Sequence, residues 1–207
     1  MSILTFVQKK GGTGKTTTAT NVSVAAMMRG LSVALIDIDP QGSALTWKNA
    51  RADTQPHVEA LAPEDLPDWL EERSSEFDLI VIDTSAHDGD ALARVVRLAD
   101  LTVIVTQPTL LANAVAVRLR DVFIDFGVPY AILLTQTPPT LTQRLDRWIQ
   151  NHRLLGTVVD TQFAYRMDYQ DAVPLGLAVI EYNPQGRAAQ EVLGVTDWLL
   201  NRLEMIR

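Results

Sequence analysis

Lys10-Gly11-Gly12-Thr13-Gly14-Lys15-Thr16-Thr17 follows the apolar run Ile3-Leu4-Thr5-Phe6-Val7 and opens a stretch rich in Ala and Val. That succession reads as a strand, a glycine-rich turn and the start of a helix. Backbone N–H groups in such a turn point at phosphate oxygens, and the helix dipole adds positive potential there. A Cβ in the turn would hold the chain away from a phosphate, which is why glycine recurs. Lys15 supplies a point charge and Thr16 a hydroxyl for Mg²⁺. The general pattern G-x-x-x-x-G-K-[ST] wants glycine at position 9, where this chain has Lys9. A second lysine, Lys10, precedes the glycine pair instead.

Outward from this loop, short apolar runs alternate with helical stretches. Strands are expected over 3–8, 32–37, 79–83, 101–106 and 131–135, with a weaker one over 157–159. Each is nearly continuous in apolar residues, which suits strands buried on both faces. Helices are expected over 15–29, 63–76, 88–99, 111–126 and 141–152, and a last one from 185 or 186 to 204. Gly30 and Gly127 stand where helices end. Residues 52–67, which hold three prolines, read as the least regular part. The alternation implies one α/β domain over 1–207, a doubly wound and mostly parallel sheet with helices on both faces.

The composition narrows the class. The 207 residues suffice for a sizeable core, and 47% hydrophobic with 21% charged is ordinary for a soluble globular chain. No apolar run is long enough to suggest a membrane span. The strand that begins almost at once leaves no room for a signal or transit peptide, so a cytoplasmic location is expected. There are no cysteines, which removes disulfides, iron–sulfur ligation and thiolate zinc sites. His57, His87 and His152 are scattered without ligand spacing. A net charge of −7 argues against a chain that coats nucleic acid by bulk field, though not against a local basic patch. Arginine is concentrated late in the chain, at Arg144, Arg147, Arg153, Arg166, Arg187, Arg202 and Arg207.

Ligands of such sheets bind beyond the carboxyl ends of the strands. The second strand runs into Asp37-Ile38-Asp39-Pro40-Gln41-Gly42 and the third into Asp83-Thr84-Ser85. Asp83 suits a carboxylate that holds Mg²⁺ through a water, and Asp37 suits a place nearer the metal shell. Asp39 suits the orientation of an attacking water. One such Asp alone is as readily a helix cap or turn residue. Three of them together with the lysine loop point to a nucleoside triphosphate. A dinucleotide site is rejected, because Gly12-Thr13-Gly14 lacks the third glycine, position 17 being Thr17.

These residues resemble a known family. Residues 10–17 look like the deviant Walker A box of the ParA/MinD ATPases. Asp37-Ile38-Asp39-Pro40-Gln41-Gly42-Ser43 resembles the switch I box of the ParA branch, and Ile80-Val81-Ile82-Asp83-Thr84 its Walker B box. Tyr165-Arg166-Met167-Asp168-Tyr169, with Gly176-Leu177-Ala178-Val179-Ile180-Glu181, is similar to the base region of small, ParF-type ParA proteins. The resemblance implies that the loop from Gly11 to Thr17 binds ATP with Mg²⁺. It implies that Lys10 reaches across a two-fold interface to the phosphates of a second copy. Gly11 would then lie at the closest approach between the two copies. Gln136, Phe163, Arg166 and Tyr169 become candidates for the base, although ordinary loop packing explains the last three as well. Ser85-Ala86-His87-Asp88 would form a switch II loop.

The same resemblance implies a homodimer on ATP binding and non-specific DNA as a partner. It implies a ParB-like or adaptor protein that stimulates hydrolysis, and a plasmid, chromosome or protein organelle as cargo. Arg144, Arg147, Arg166, Arg187, Arg202 and Arg207 are the DNA candidates, each equally readable as a solvated helix face. Two other readings stay open. A MinD-like membrane ATPase needs a basic amphipathic tail, and the segment 195–207 carries Asp197 and Glu204 against two arginines. A small-molecule ligase of the dethiobiotin-synthetase type shares the fold.

Overall fold

The structure is a computed structural model, and it describes residues 1–86 and 90–206. Of residues 90 and 91 it describes the backbone. Seven strands form one sheet: β1 (Ser2–Val7), β2 (Val33–Asp37), β3 (His57–Ala60), β4 (Leu79–Asp83), β5 (Leu101–Thr106), β6 (Tyr130–Thr137) and β7 (Phe163–Ala164). Their spatial order is β3-β2-β4-β1-β5-β6-β7, and every pairing is parallel. The helices are α1 (Lys15–Met28), α2 (Ser43–Ala50), α3 (Leu66–Arg73), α4 (Asp90–Val96), α5 (Leu110–Phe126), α6 (Gln143–Arg153), α7 (Asp168–Ala172), α8 (Val179–Tyr182) and α9 (Arg187–Arg202).

Both faces of the sheet are covered, and the two-residue period of the strands divides the core. Leu4, Phe6, Leu35, Val81, Val103 and Leu133 face a cluster that holds α1 and α9 residues such as Ala19, Val22, Val192 and Leu199. The neighbouring strand residues turn the other way. Ile3, Ile36 and Ile82 pack with Leu66 and Trp69, while Val7, Ile104 and Ile132 pack with Leu119 and Phe123. Full burial of each such side chain contributes about 2 kcal/mol. This two-sided demand is why the strands read as unbroken apolar runs.

α1 is rich in small residues, and most of it is buried between the sheet and α9. α9 spends its apolar face the same way, since Ala188, Val192, Val195, Leu199 and Leu200 are buried. Leu203, Met205 and Ile206 also pack onto that core. The tail is therefore a core helix with its apolar stripe in use. Among the described residues, no helix is long and apolar enough to cross a membrane.

Four expectations need correction. Residues 52–67 hold strand β3 and the start of α3, not only irregular chain. Thr157–Val159 is no strand: only Val158 bridges to Ile132, and the seventh strand lies later, at Phe163–Ala164. β6 runs on to Thr137, and that extension supplies β7 with its partner. The helix expected over 63–76 is α3 with a 3-10 turn at Ser74–Glu76.

Candidate active site

The loop after β1 joins a strand with no exposed residue beyond Ser2 to a helix that no side chain caps. Gly14 stands at the N-cap of α1 with φ 92°, and Gly12 has φ 74°. Left-handed backbone at both places turns the chain back over the sheet edge and favours glycine. Thr135 Oγ1 donates to the Thr13 carbonyl at 2.6 Å, and Thr18 Oγ1 to the Gly14 carbonyl at 2.7 Å. The loop is thereby tied to β6 and to its own helix.

A cavity of about 340 Å³ opens over the loop. It is lined by Gly11 to Thr17, by Asp39, Gln41 and Ser43, and by Trp47 and Ala86. The helix dipole and the first N–H groups of α1 serve an anion here. Lys15 is buried, with 8% of its surface exposed, so its charge acts at short range in a poorly screened place.

Asp83 ends β4 directly beneath. It is fully buried and accepts from Thr16 Oγ1 at 2.5 Å through Oδ2. Its Oδ1 is buried and has no partner among the described residues. Burial pushes this carboxyl from 3.8 to about 7, against the Thr16 hydrogen bond, and the Asp37 charge adds to the rise. A buried carboxylate oxygen without a partner, beside a threonine hydroxyl, fits a hydrated Mg²⁺.

Asp37 lies beside Asp83 across the β2–β4 pairing, and its carboxylate is also engaged by backbone. Its Oδ2 accepts from the Ala44 and Leu45 N–H groups, and its Oδ1 from the Asp39 N–H. It caps the start of α2 from seven residues upstream. Burial raises its carboxyl, and the three N–H groups pull the other way. Asp39 is half-buried on the cavity wall, and its Oδ1 accepts from the Gln41 N–H at 3.0 Å. That contact is an Asx-type turn, and it places Asp39 at the cavity beside Gln41. His87 and Asp88 lie outside the described residues.

A second cavity, of about 360 Å³, adjoins the first along Thr13, Gly14, Thr17 and Val173. Gln136, Phe163, Arg166 and Tyr169 all line it, so the four base candidates do converge. They sit on elements more than on a loop: Phe163 in β7 and Tyr169 in α7. Their rings lie 5.4 Å apart. Arg166 is bound to Glu191 Oε1 through Nε at 2.9 Å and Nη2 at 2.6 Å, and Tyr169 reaches Glu191 Oε2 at 3.3 Å. Burial and the Glu191 charge hold the Tyr169 hydroxyl protonated far above its ordinary range. Arg166 therefore serves this wall, its guanidinium paired with Glu191. Arg144, Arg147, Arg187 and Arg202 are exposed and stand in none of the ion pairs among the described residues. Arg207 lies outside them.

Sequence reasoning missed several parts of the cleft. Thr135, Gln170 and Val173 line the base side, and Trp47 the phosphate side. Gln107 joins the loop through hydrogen bonds to Lys10 and Gly12. Arg51, whose side chain is 2% exposed, bonds Glu181 twice and the Gly176 carbonyl once, and so binds α2 to the segment before α8. Asn21 accepts from the Val179 N–H at 2.8 Å and ties that segment to α1.

A sequence profile of the CobQ/CobB/MinD/ParA nucleotide-binding domain (CbiA) matches residues 4–203. The chain belongs to this family. It is 35% identical over 201 residues to the maintenance of carboxysome distribution protein A of Gloeobacter kilaueensis, across 95% of this chain and 84% of that one. Apo McdA of Cyanothece superposes with a TM-score of 0.78 at 15% identity, over 96% of this chain and 99% of that one. MinD of Pyrococcus horikoshii, complexed with Mg-ADP, gives 0.76 at 18% identity over 96% and 95%. Family and site agree on the activity: the chain is a P-loop ATPase of the ParA/MinD kind.

Proposed function

We propose that this chain is a positioning ATPase, and that ATP acts in it by pairing two copies. Lys15 binds the triphosphate of its own chain, and Lys10 that of the partner copy. Thr16 and Asp83 would hold Mg²⁺, which supplies charge neutralisation at the β- and γ-phosphates. Asp39 orients the water. Two lysines on one triphosphate couple its charge to pairing, so loss of the γ-phosphate loosens the pair.

One observation carries the reading. Gly11 is exposed, has no left-handed φ, and a Cβ built on it meets nothing within 4 Å. The free chain has no need of glycine there, in contrast to Gly12 and Gly14. A second copy approaching the loop would have that need.

We further propose that the paired form binds DNA without sequence preference through exposed arginines, and that a partner protein stimulates hydrolysis. The 35% identical relative is named for carboxysome distribution, which favours a protein organelle as the cargo. Pairing doubles a net charge of −7, so binding should rest on a local basic face and fall steeply with salt. The membrane reading has less support, since the apolar stripe of α9 is already packed.

The test is a DNA-binding titration with ATP, ADP and no nucleotide, across salt, on wild type and Lys15→Ala. Binding with ATP alone, lost in the variant, is expected. Equal binding with ADP would contradict the switch. ATP-dependent binding to liposomes without DNA binding would favour the membrane reading instead.

A further inference from the structure

The Lys10 ammonium rests on a neutral acceptor of its own chain. Its Nζ donates to Gln107 Oε1 at 2.9 Å, one residue past β5. Gln107 Nε2 donates in turn to the Gly12 carbonyl at 3.1 Å and to Gln136 Oε1 at 2.8 Å. Gln136 Nε2 closes the set with a 2.7 Å bond to the same Gly12 carbonyl. Lys10 takes part in no ion pair among the described residues, although Asp39 lines the cavity over its loop.

The backbone is bent to make this arrangement. Gln136 has φ 51°, which a residue with a Cβ adopts rarely, and it sits where the β6–β7 register breaks between Thr135 and Thr137. The bulge takes Gln136 out of the pleat, and its amide spans Gly12 and Gln107. Two glutamines from adjacent strand ends thus grip one carbonyl of the loop and present one acceptor to Lys10.

We propose that Gln107 is a positioning residue for Lys10. In the free subunit it parks the ammonium at the sheet edge. The release of Lys10 then sets the nucleotide concentration at which two copies pair. This rests on the paired reading above. A cation meant for a phosphate on another chain must not settle on a carboxylate of its own. A neutral amide holds it in place, yet more weakly than an anion does. Lys10 therefore leaves Gln107 only for a stronger acceptor, such as the partner's triphosphate. Gln107 keeps its two Nε2 bonds after the exchange, so the loop stays shaped.

The experiment compares wild type, Gln107→Ala and Gln107→Glu as full chains. Sedimentation with Mg²⁺ and a non-hydrolysable ATP analogue gives the analogue concentration at half pairing. Labelling of Lys10 by an amine-reactive reagent, read by mass spectrometry without nucleotide, reports the parked state. Affinity for a fluorescent ADP, measured at protein concentrations too low for pairing, reports the loop itself. Gln107→Ala should lower the pairing concentration about threefold and speed Lys10 labelling. Gln107→Glu should raise it about tenfold and slow labelling, because the acceptor becomes an anion. ADP affinity should fall in both, since each loses the Nε2 bonds to Gly12 and Gln136. Gln136→Ala, which loses a bond to the same Gly12 carbonyl but leaves Lys10 its acceptor, gives the size of that loop effect without the change in Lys10 labelling. A shift in pairing of the same sign in both Gln107 variants, unchanged Lys10 labelling, or the same pairing and labelling shifts in Gln136→Ala overturns the proposal. Wild type that pairs at the same concentration as both variants overturns this role of Gln107 alone. Wild type that never pairs overturns the paired reading, and this role with it.

Discussion

The loop from Lys10 to Thr17 and the wall from Phe163 to Val173 meet along one cleft, yet they are assembled differently. The loop is a single run of chain whose ligand groups are chiefly backbone N–H, placed by glycine and by the start of α1. The wall is made of side chains, and each is held by a residue distant in sequence: Arg166 and Tyr169 by Glu191, and the segment beside them by Arg51 and Asn21. A site built from backbone is local, tolerates its surroundings and carries the chemistry. A site built from side chains depends on tertiary partners and carries recognition. Substitutions on the two sides should therefore fail in different ways, the loop side in turnover and the wall side in stability.

The largest effect is expected on the loop side. Asp39→Ala keeps the cavity and Lys15, so ATP binding should persist while hydrolysis falls about a hundredfold. A phosphate-release assay beside a nucleotide-binding titration separates the two. Turnover at the normal rate would mean that another group orients the water.

On the wall side, Glu181→Ala strips the buried Arg51 guanidinium of its closest carboxylate and leaves it only Asp53 at 3.8 Å. Breaking a buried pair from one side is costly, and partial exposure of Glu181 tempers it to about 2 kcal/mol. A melting point lower by roughly 5 °C is expected. The rate per folded molecule at saturating ATP should change little. A large fall in that rate with an unchanged melting point would erase the contrast between the two sides.

A pH-dependent effect comes from the carboxylate where loop and sheet meet. Burial raises Asp83 from 3.8 to about 7 in the folded chain. The folded state therefore prefers the protonated form. The stability that protonation brings is complete below the unfolded value and is lost as pH climbs through the folded one. Without nucleotide or magnesium, Asp83→Asn should melt higher than wild type near pH 8, by a margin that shrinks toward pH 5. Thermal melts across that range decide it, and a margin independent of pH would contradict the burial argument.

The same contrast explains what was legible in the sequence. β1, β2, β4 and β5 lie within a residue of expectation, because strands covered on both faces leave an unbroken apolar record. β3 is an edge strand whose residues are half-buried or exposed, and His57-Val58-Glu59-Ala60 leaves no such record. α2 begins at Ser43, capped by Asp37 across seven residues, a contact that no local pattern displays. The phosphate side was legible because glycine spacing encodes backbone geometry directly. The partners of Arg166, Lys10 and Asp37 were not, since each depends on which strand ends the fold brings together. Asp37 accordingly reads as a post-strand carboxylate in the sequence, and the structure adds its bonds to the start of α2.

The central claim is that ATP joins two copies through the face that carries Gly11 and Lys10. Sedimentation of wild type and Gly11→Val, each with Mg²⁺ and a non-hydrolysable ATP analogue, tests it most directly. A Cβ at 11 meets nothing within 4 Å in the free chain, so the variant should fold, and a nucleotide titration beside the sedimentation establishes that it is loaded. Wild type should sediment as a dimer and the variant as a monomer. Wild type that stays single at saturating analogue, or a variant that pairs equally well, would contradict the account.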